Sequence, residues 1–131
     1  HLGSAYPVTE DEPVMDVRGL HLMSGLPRTV TIKGDEIRES MSEPLAVIID
    51  AVKRSLEQTP PELAADIIDR GIMLAGGGAL LRGLDTLITH ETGIVTHVAE
   101  DPLRCVVNGT GEVLKTPKIR DRIISDTARS V

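Results

Sequence analysis

The chain has 131 residues, enough for one ordinary domain, and a formal net charge of −6 that disfavours binding to DNA or anionic membranes through bulk electrostatics. Tyr6 is its only aromatic residue, so the core must be aliphatic and base stacking on single-stranded nucleic acid is disfavoured. No apolar run approaches the roughly 20 residues of a transmembrane helix. Cys105 is the only cysteine, which excludes an internal disulfide and weakly favours the cytosol.

The first part of the chain has the pattern of strands and turns. Residues 14–19 alternate loosely between apolar and polar side chains, and residues 26–32 alternate more strictly. One face of the second run carries Leu26, Arg28, Val30 and Ile32. Residues 23–25 form a turn signal that ends in glycine, so the two runs predict a β-hairpin.

A helical stretch is predicted to follow the hairpin, with Asp35 as its N-cap. Pro44 interrupts that stretch, and Ser42 is a second candidate for a cap. The strongest helical pattern lies at residues 45–56, where apolar residues recur at the spacing of one buried face. These residues are Leu45, Ile48, Ile49, Val52 and Leu56.

A short helix is predicted between Pro61 and Gly71, because proline favours the first helical position and glycine ends helices. Residues 72–75 form a compact apolar run, which predicts a strand buried on both faces. Three consecutive glycines follow this strand, and a helix is predicted from about residue 81 to residue 93.

Residues 94–98 predict a second strand, and Asp101 and Pro102 predict the cap of a last helix that reaches about residue 114. Glu100 and Asp101 could instead form a carboxylate pair for acid–base chemistry, but the helix cap is the favoured interpretation.

The first residue and the thin sheet both suggest that the chain is part of a longer protein. Residues 116–131 are polar and of mixed charge, so a loose tail or a short helix is expected there. The alternation of helices and strands from residue 35 predicts an α/β layer with crossover connections. Only two strands are available for its sheet, and the chain begins with His1, so we expect further strands to lie upstream.

The glycines at positions 76–78 are the feature of the sequence that most directly suggests ligand chemistry. Without Cβ atoms, the backbone at the end of a strand can approach a ligand closely and adopt positive φ. The next helix would offer free N–H groups to phosphate or another polar ligand atom. Ligands of open α/β sheets bind at this edge of the sheet.

Two known phosphate motifs do not fit these glycines. A dinucleotide fingerprint would need a third glycine where the chain has Leu81. Gly78 and Gly83 have the spacing of a P-loop, but Leu84 and Asp85 replace its lysine and hydroxyl residue. The glycines could therefore merely allow a tight turn from strand to helix, and for a bare glycine run that interpretation is favoured.

The glycine run together with its flanks resembles the MreB/Mbl family of bacterial actins, in particular the family's adenosine-binding motif. The resemblance covers roughly residues 2–115, and the Mbl branch stays open beside MreB. The matching segments are residues 3–7, 25–27, 59–67, 69–85, 91–93, 99–103, 105–106 and 109–111.

The resemblance implies an α/β, actin-like fold of the Hsp70/actin ATPase type, present in part. Residues 1–34 would form the end of the small subdomain IIB. Residues 35–115 would form the second half of the nucleotide-binding subdomain IIA, and residues 116–131 a variable tail.

The resemblance also implies function. ATP, with Mg in the family, would be the cofactor, and its adenosine side would be lined by Gly76, Gly77, Gly78, Ala79 and Leu80. Family members self-associate into cytoplasmic, membrane-associated filaments that work with the cell-wall elongation machinery and organise rod cell shape. The family's phosphate-binding loops, metal-contacting and catalytic groups and membrane-inserting element are not matched here. No catalytic residue is therefore assigned, and hydrolysis by this chain alone is not expected.

Two other functions stay open at this stage. The chain could be a truncated actin-like interaction module that caps or regulates filaments of a full-length relative without binding ATP. An actin-fold sugar kinase or an Hsp70-like ATPase ranks lower, because the flanks at residues 59–63 and 100–103 differ from those families. No metal site is predicted, because the four histidines lack ligand spacing, and Cys105 is interpreted as a buried structural residue.

Overall fold

A computed structural model describes residues 2–7 and 11–128, so His1 and the last three residues of the predicted tail lie outside the described residues. An initial strand pair is followed by helices between which two further strands lie, in agreement with the predicted α/β order. In chain order the elements are β1 (Val14–Leu20), β2 (Pro27–Lys33), α1 (Gly34–Ser40), α2 (Ser42–Glu57), α3 (Pro61–Arg70), β3 (Ile72–Leu74), α4 (Leu84–Thr92), β4 (Thr96–Val98), α5 (Cys105–Lys115) and α6 (Pro117–Ala128).

The predicted hairpin is confirmed. β1 and β2 pair antiparallel along their whole length, with Val17 opposite Val30. The connecting loop is closed by the N–H of His21, which donates to the carbonyl of Leu26 at 2.9 Å. Gly25 takes a φ of +67° in that loop, a conformation that favours glycine. All of β1 and most of β2 is exposed, so the hairpin has little core of its own.

The prediction of Asp35 as the N-cap of the first helix is wrong. α1 begins at Gly34, and Lys33 takes the cap position. The N–H of Lys33 donates to the carboxylate of Glu36 at 2.8 Å, so the glutamate three residues later satisfies the cap instead. Asp35 lies in the first turn, where its carboxylate accepts the N–H of Glu36 at 2.9 Å.

Helix α2 is confirmed, but its predicted apolar face is only partly buried. Leu45 and Ile49 are buried, whereas Ile48 is 45% exposed. The helix begins at Ser42, so the second cap candidate is its first residue and Met41 is the cap. Ile48 lines an open groove of about 550 Å³ between α2, α3 and β3, because the short sheet beside it does not cover that side of the helix.

The core lies where α2 and α4 meet the N-terminal segment, which we define as residues 2–7. Its buried members are Ala5, Leu45, Ile49, Leu84 and Ile88. The N–H of Ala5 donates to the carbonyl of Arg82 at 2.7 Å and fastens this segment to the start of α4.

The second sheet consists of β3 and β4, which run parallel with Ile72 opposite Thr96. A two-stranded sheet agrees with the prediction that few strands are available. The prediction that the first of these strands is buried on both faces is wrong, because Met73 is 63% exposed. In the described part of the chain no further element covers that face, so α2 and β3 expose apolar surface.

The last two helices pack against each other. α5 begins at Cys105 with Arg104 as its N-cap, so the predicted cap at Asp101 is wrong. Asp101 and Pro102 lie in the preceding turn, where the carbonyl of Asp101 accepts the N–H of Cys105 at 2.8 Å. The Cys105 side chain is half-buried rather than buried.

The predicted tail forms helix α6 as far as the structure describes it. Across residues 2–7 and 11–128, none of the helices has the length and apolar character needed to cross a bilayer.

Candidate functional site

The glycine run leaves the sheet as a loop and not directly as a helix. Gly76 has a φ of +81°, and residues 77–80 form a single 3-10 turn (Gly77–Leu80). We call residues 76–80 the glycine loop. α4 begins only at Leu84, later than the predicted start near residue 81, because Gly83 takes a left-handed conformation with φ +74° ahead of it.

Two backbone hydrogen bonds fix the glycine loop to the connection between β4 and α5. The N–H of Gly76 donates to the carbonyl of Pro102 at 2.6 Å. The N–H of Ala99 donates to the carbonyl of Leu74 at 3.0 Å, just before the loop. The loop therefore lies at the carboxyl end of β3, beside the segment that follows the parallel strand β4.

The glycine loop is open to solvent. A Cβ atom added at Gly76 or at Gly78 would have no neighbouring atom within 4 Å, and one at Gly77 would only touch the Leu103 side chain at 3.8 Å. The Leu80 side chain is 58% exposed, whereas Ala79 is buried beneath the loop. There is room for a ligand against the backbone of these glycines.

The same geometry bears on whether the glycines only permit a tight turn. Gly76 needs to be glycine, because its φ is positive. Gly77 and Gly78 have neither a positive φ nor a close neighbour that would exclude a side chain. A tight turn therefore explains the first glycine of the run and not the other two.

The prediction that the next α-helix offers its free N–H groups to a ligand at this loop is wrong. The start of α4 is packed against the N-terminal segment, since a Cβ at Gly83 would lie 3.0 Å from the backbone nitrogen of Tyr6. Only the 3-10 turn begins at the loop, and the N–H groups of its first residues, Gly77 and Gly78, have no acceptor within their own turn.

A separate cavity of about 310 Å³ lies between α2 and α4, away from the glycine loop, and no predicted site residue lines it. Its floor is apolar and includes Leu45, Ile49 and Leu87. At its rim the ammonium of Lys53 lies 2.7 Å from the carboxylate of Glu91. The hydrogen bond from Lys53 and its positive charge lower the pKa of Glu91 below its usual range.

The fold and the loop define an α/β protein with a glycine loop at the carboxyl end of a parallel strand, the edge at which ligands of open α/β sheets bind. Comparison with known families is more specific, because the sequence profile of the MreB/Mbl protein family matches residues 1–122. The chain belongs to this family, which confirms the resemblance seen in the sequence.

Relatives of known role match over most of the chain. It is 54% identical over 114 residues to the cell shape-determining protein MreB of Escherichia coli K12, covering 87% of this chain and 33% of that protein. It is 47% identical over 121 residues to the cell shape-determining protein Mbl of Bacillus subtilis 168, covering 89% of this chain and 36% of that protein. The chain thus spans about a third of the length of these relatives.

Solved structures confirm the predicted fold class. The crystal structure of MreB5 of Spiroplasma citri bound to ADP matches 92% of this chain and 36% of its own, with 38% identity and a TM-score of 0.79. The structure of the same protein bound to AMPPNP matches 95% of this chain and 37% of its own, with 36% identity and a TM-score of 0.76. The fold is therefore part of the actin-like fold.

Proposed function

We propose that this chain is part of a bacterial actin-like cytoskeletal protein that binds ATP and forms membrane-associated filaments in the cytoplasm. These filaments would organise cell-wall synthesis and rod cell shape together with the elongation machinery. The membership in the MreB/Mbl family carries this proposal, because its relatives are cell shape-determining proteins. Since the chain spans about a third of their length, it would contribute one portion of the whole protein.

Within this proposal the chain's contribution to ATP binding is the glycine loop, with Gly76, Gly77, Gly78, Ala79 and Leu80 on the adenosine side. The open space against the glycine backbones leaves room for the flat adenine ring there. The relative MreB5 has been seen with ADP and with AMPPNP, which supports a nucleotide as the ligand class. Bound ATP, with Mg in the family, would supply the hydrolysable phosphate chain, while this chain's residues hold and orient the nucleoside.

The proposed division of the chain follows from the same membership. Residues 1–34 would end the small subdomain IIB, residues 35–115 would form the second half of subdomain IIA, and residues 116–131 would be a variable tail. The glycine loop belongs to residues 35–115. The residues that contact the other side of the nucleotide would come from the remaining portion of a full-length protein.

A second candidate function is a truncated module that caps or regulates filaments of a full-length relative without binding ATP. The open apolar groove along α2 and β3 favours it, because such a surface can be covered by another protein. Both candidate functions share the same fold, and they differ in whether the glycine loop binds ATP.

Calorimetry with ATP separates the two candidates. It would be applied to this chain alone and to a chimera in which this chain replaces the corresponding third of a full-length relative. We expect the chimera to bind ATP and to sediment as filaments, and this chain alone to bind weakly or not at all. A folded chain that binds no ATP and blocks polymerisation of the relative would establish the regulatory module instead.

The glycine loop is tested in the same chimera by Gly78→Val, with Gly109→Val on α5 as the matched control. Both positions have open space around them, so neither substitution creates a clash within the chain. We expect Gly78→Val to weaken ATP binding by about tenfold or more, equivalent to about 1.4 kcal/mol, and Gly109→Val to leave it unchanged. Equal ATP affinities for the two variants would show that the glycine loop does not contact the nucleotide.

A further inference from the structure

The outer edge of β1 is a free strand edge. Within residues 2–7 and 11–128, β1 pairs with β2 alone, and each of its seven residues is exposed. A free edge carries a row of unpaired N–H and C=O groups, which can pair with another strand. We propose that two copies of this chain pair antiparallel through their β1 edges, related by a two-fold axis at Val17.

The hydrogen-bond pattern of the hairpin shows which backbone groups face this edge. The N–H of His21 donates to Leu26 at one end of the ladder, and the N–H of Gly34 donates to Pro13 at the other, both at 2.9 Å. Hydrogen-bonded pairs alternate with non-bonded ones in an antiparallel ladder, so the odd-numbered residues of β1 bond to β2. The backbone groups of the even-numbered residues point outward; these residues are Val14, Asp16, Arg18 and Leu20.

The sequence of β1 is complementary to itself in one register. With Val17 opposite Val17 of the second copy, Asp16 lies opposite Arg18 of that copy, and the two-fold axis repeats the same pair. Even-numbered residues then face even-numbered residues, so outward-pointing N–H and C=O groups meet each other along the whole strand. Opposite charges directly across a strand pair are stabilising.

Neighbouring registers are worse for reasons of charge and geometry. A shift of two residues in one direction puts Asp16 opposite Asp16 of the second copy, and a shift in the other direction puts Arg18 opposite Arg18. Like charges in these positions are destabilising. A shift of one residue would place even-numbered residues opposite odd-numbered ones. The outward-pointing N–H and C=O groups would then face residues whose own groups point toward β2, and the ladder could not form.

The side chains fit the same register. On the polar face, the Thr31 hydroxyl donates to the Asp16 carboxylate at 2.6 Å and holds it in place, while Arg18 has no ion pair in the described part of the chain. On the other face, Met15 lies opposite Gly19 of the second copy, where a side chain has open space.

Pairing would also give the hairpin a larger apolar face. Met15, Val17, Val30 and Ile32 share one face of the hairpin, and a two-fold copy extends this face across four strands. A lone two-stranded hairpin is marginal in water, so both copies gain from the wider sheet. Because a two-fold contact closes on itself, it produces a dimer and does not by itself propagate into a filament.

Sedimentation equilibrium of the full chain over a range of concentrations tests the pairing. We expect a monomer–dimer equilibrium for the natural chain, and D16R or R18D alone to weaken it by about tenfold or more, because each places two like-charge pairs across the axis. The double variant D16R/R18D restores both pairs and should dimerise like the natural chain. An equimolar mixture of the two single variants should form a heterodimer.

A disulfide probe fixes the register independently of charge. In a C105S background, V17C places two thiols directly opposite each other in a non-hydrogen-bonded pair, where Cβ atoms approach closely enough for a disulfide. The control M15C faces Gly19 of the second copy and should not cross-link. Circular dichroism checks that each variant is folded. The proposal is overturned if the natural chain stays monomeric, if R18D dimerises unchanged, or if V17C and M15C cross-link equally.

Discussion

The two sheets of this chain are held together by different means. The β1–β2 hairpin pairs seven residues per strand, yet its side chains are almost all exposed. The β3–β4 pair joins only three residues per strand, but it lies against α4, whose Ile88 is buried in the core. A hydrogen bond contributes little net free energy, whereas apolar burial contributes much, so the shorter sheet belongs to the more stable region.

The largest difference between the two regions should come from deleting the same side chain in each. Ile88 on α4 is 1% exposed, whereas Ile32 on β2 is half-buried. We expect Ile88→Ala to lower the free energy of unfolding by about 3–4 kcal/mol, because it leaves a cavity in the core. Ile32→Ala should cost about 1 kcal/mol, the loss of cross-strand contacts alone.

Urea denaturation followed by circular dichroism measures both values. Equal losses for the two variants would mean that the hairpin is as well supported as the helical core, contrary to the comparison. A change in the slope of the transition for Ile32→Ala alone would indicate that the hairpin unfolds separately.

Glycines with positive φ give a second comparison between the sheets. Gly71 precedes β3 with φ +79°, and a Cβ there would lie 2.5 Å from the carbonyl oxygen of Val95. We expect Gly71→Ala to cost about 2–3 kcal/mol, since it combines backbone strain with a clash against a hydrogen-bonded carbonyl. Gly25 in the hairpin loop has open space, so Gly25→Ala should cost about 1 kcal/mol from strain alone.

Thermal unfolding of the two alanine variants beside the natural chain checks this order. A larger loss of stability for Gly25→Ala than for Gly71→Ala would contradict the comparison. It would mean that a side chain is tolerated less well in the hairpin loop than next to β3.

The smallest effect is electrostatic and belongs to the helical side of the molecule. Lys53 on α2 lowers the pKa of Glu91 on α4, so the ionised carboxylate stabilises the folded chain. This contribution is complete above the usual range of a glutamate pKa and is lost as the pH falls through the lowered pKa. Glu91→Gln should lower the unfolding midpoint slightly at neutral pH and have no effect in strong acid.

Glu39→Gln on α1 is the matched control, because Glu39 is exposed and has no ion pair among the described residues. Differential scanning calorimetry at several pH values compares the two variants. A midpoint difference for Glu91→Gln that persists unchanged in strong acid would show that the ion pair is not its cause.

Local patterns were sufficient to predict much of the fold. Strict alternation predicted β2, and periodic apolar residues predicted α2, because both signals depend only on neighbouring positions. Gly71 and Gly93 end α3 and α4 as expected of glycine after a helix. These features are decided within a few residues of chain.

The wrong predictions depended on contacts between distant residues or on competition between neighbouring caps. Met73 is exposed because its sheet holds only two strands in the part of the chain that the structure describes, which the apolar run itself does not reveal. The start of α4 depends on the packing of Gly83 against the N-terminal segment, and these two parts are far apart in the sequence. Lys33 rather than Asp35 is the N-cap of α1, because the carboxylate of Glu36 accepts the N–H of Lys33 and the helix begins one residue before Asp35.

The candidate site was predictable only in its position along the chain. The sequence located the glycines at the carboxyl end of a strand, and the structure adds that two of the three are not needed for the turn. The role of Gly76 to Leu80 in binding ATP stays a prediction. The cavity between α2 and α4 was not predicted, because its lining comes from four separate segments with no shared motif.

The hydrogen bond from Ala5 to Arg82 has a consequence for the order of events during synthesis. The N-terminal segment cannot complete its core contacts until residue 82 and the whole of α4 are available, whereas the strand pairing of the hairpin needs no residue beyond 33. Contacts that close long loops form later than local ones. Residues 2–7 therefore precede the hairpin in the chain but reach their final neighbours after it, and the exposed hairpin can form before the core that anchors the rest of the chain.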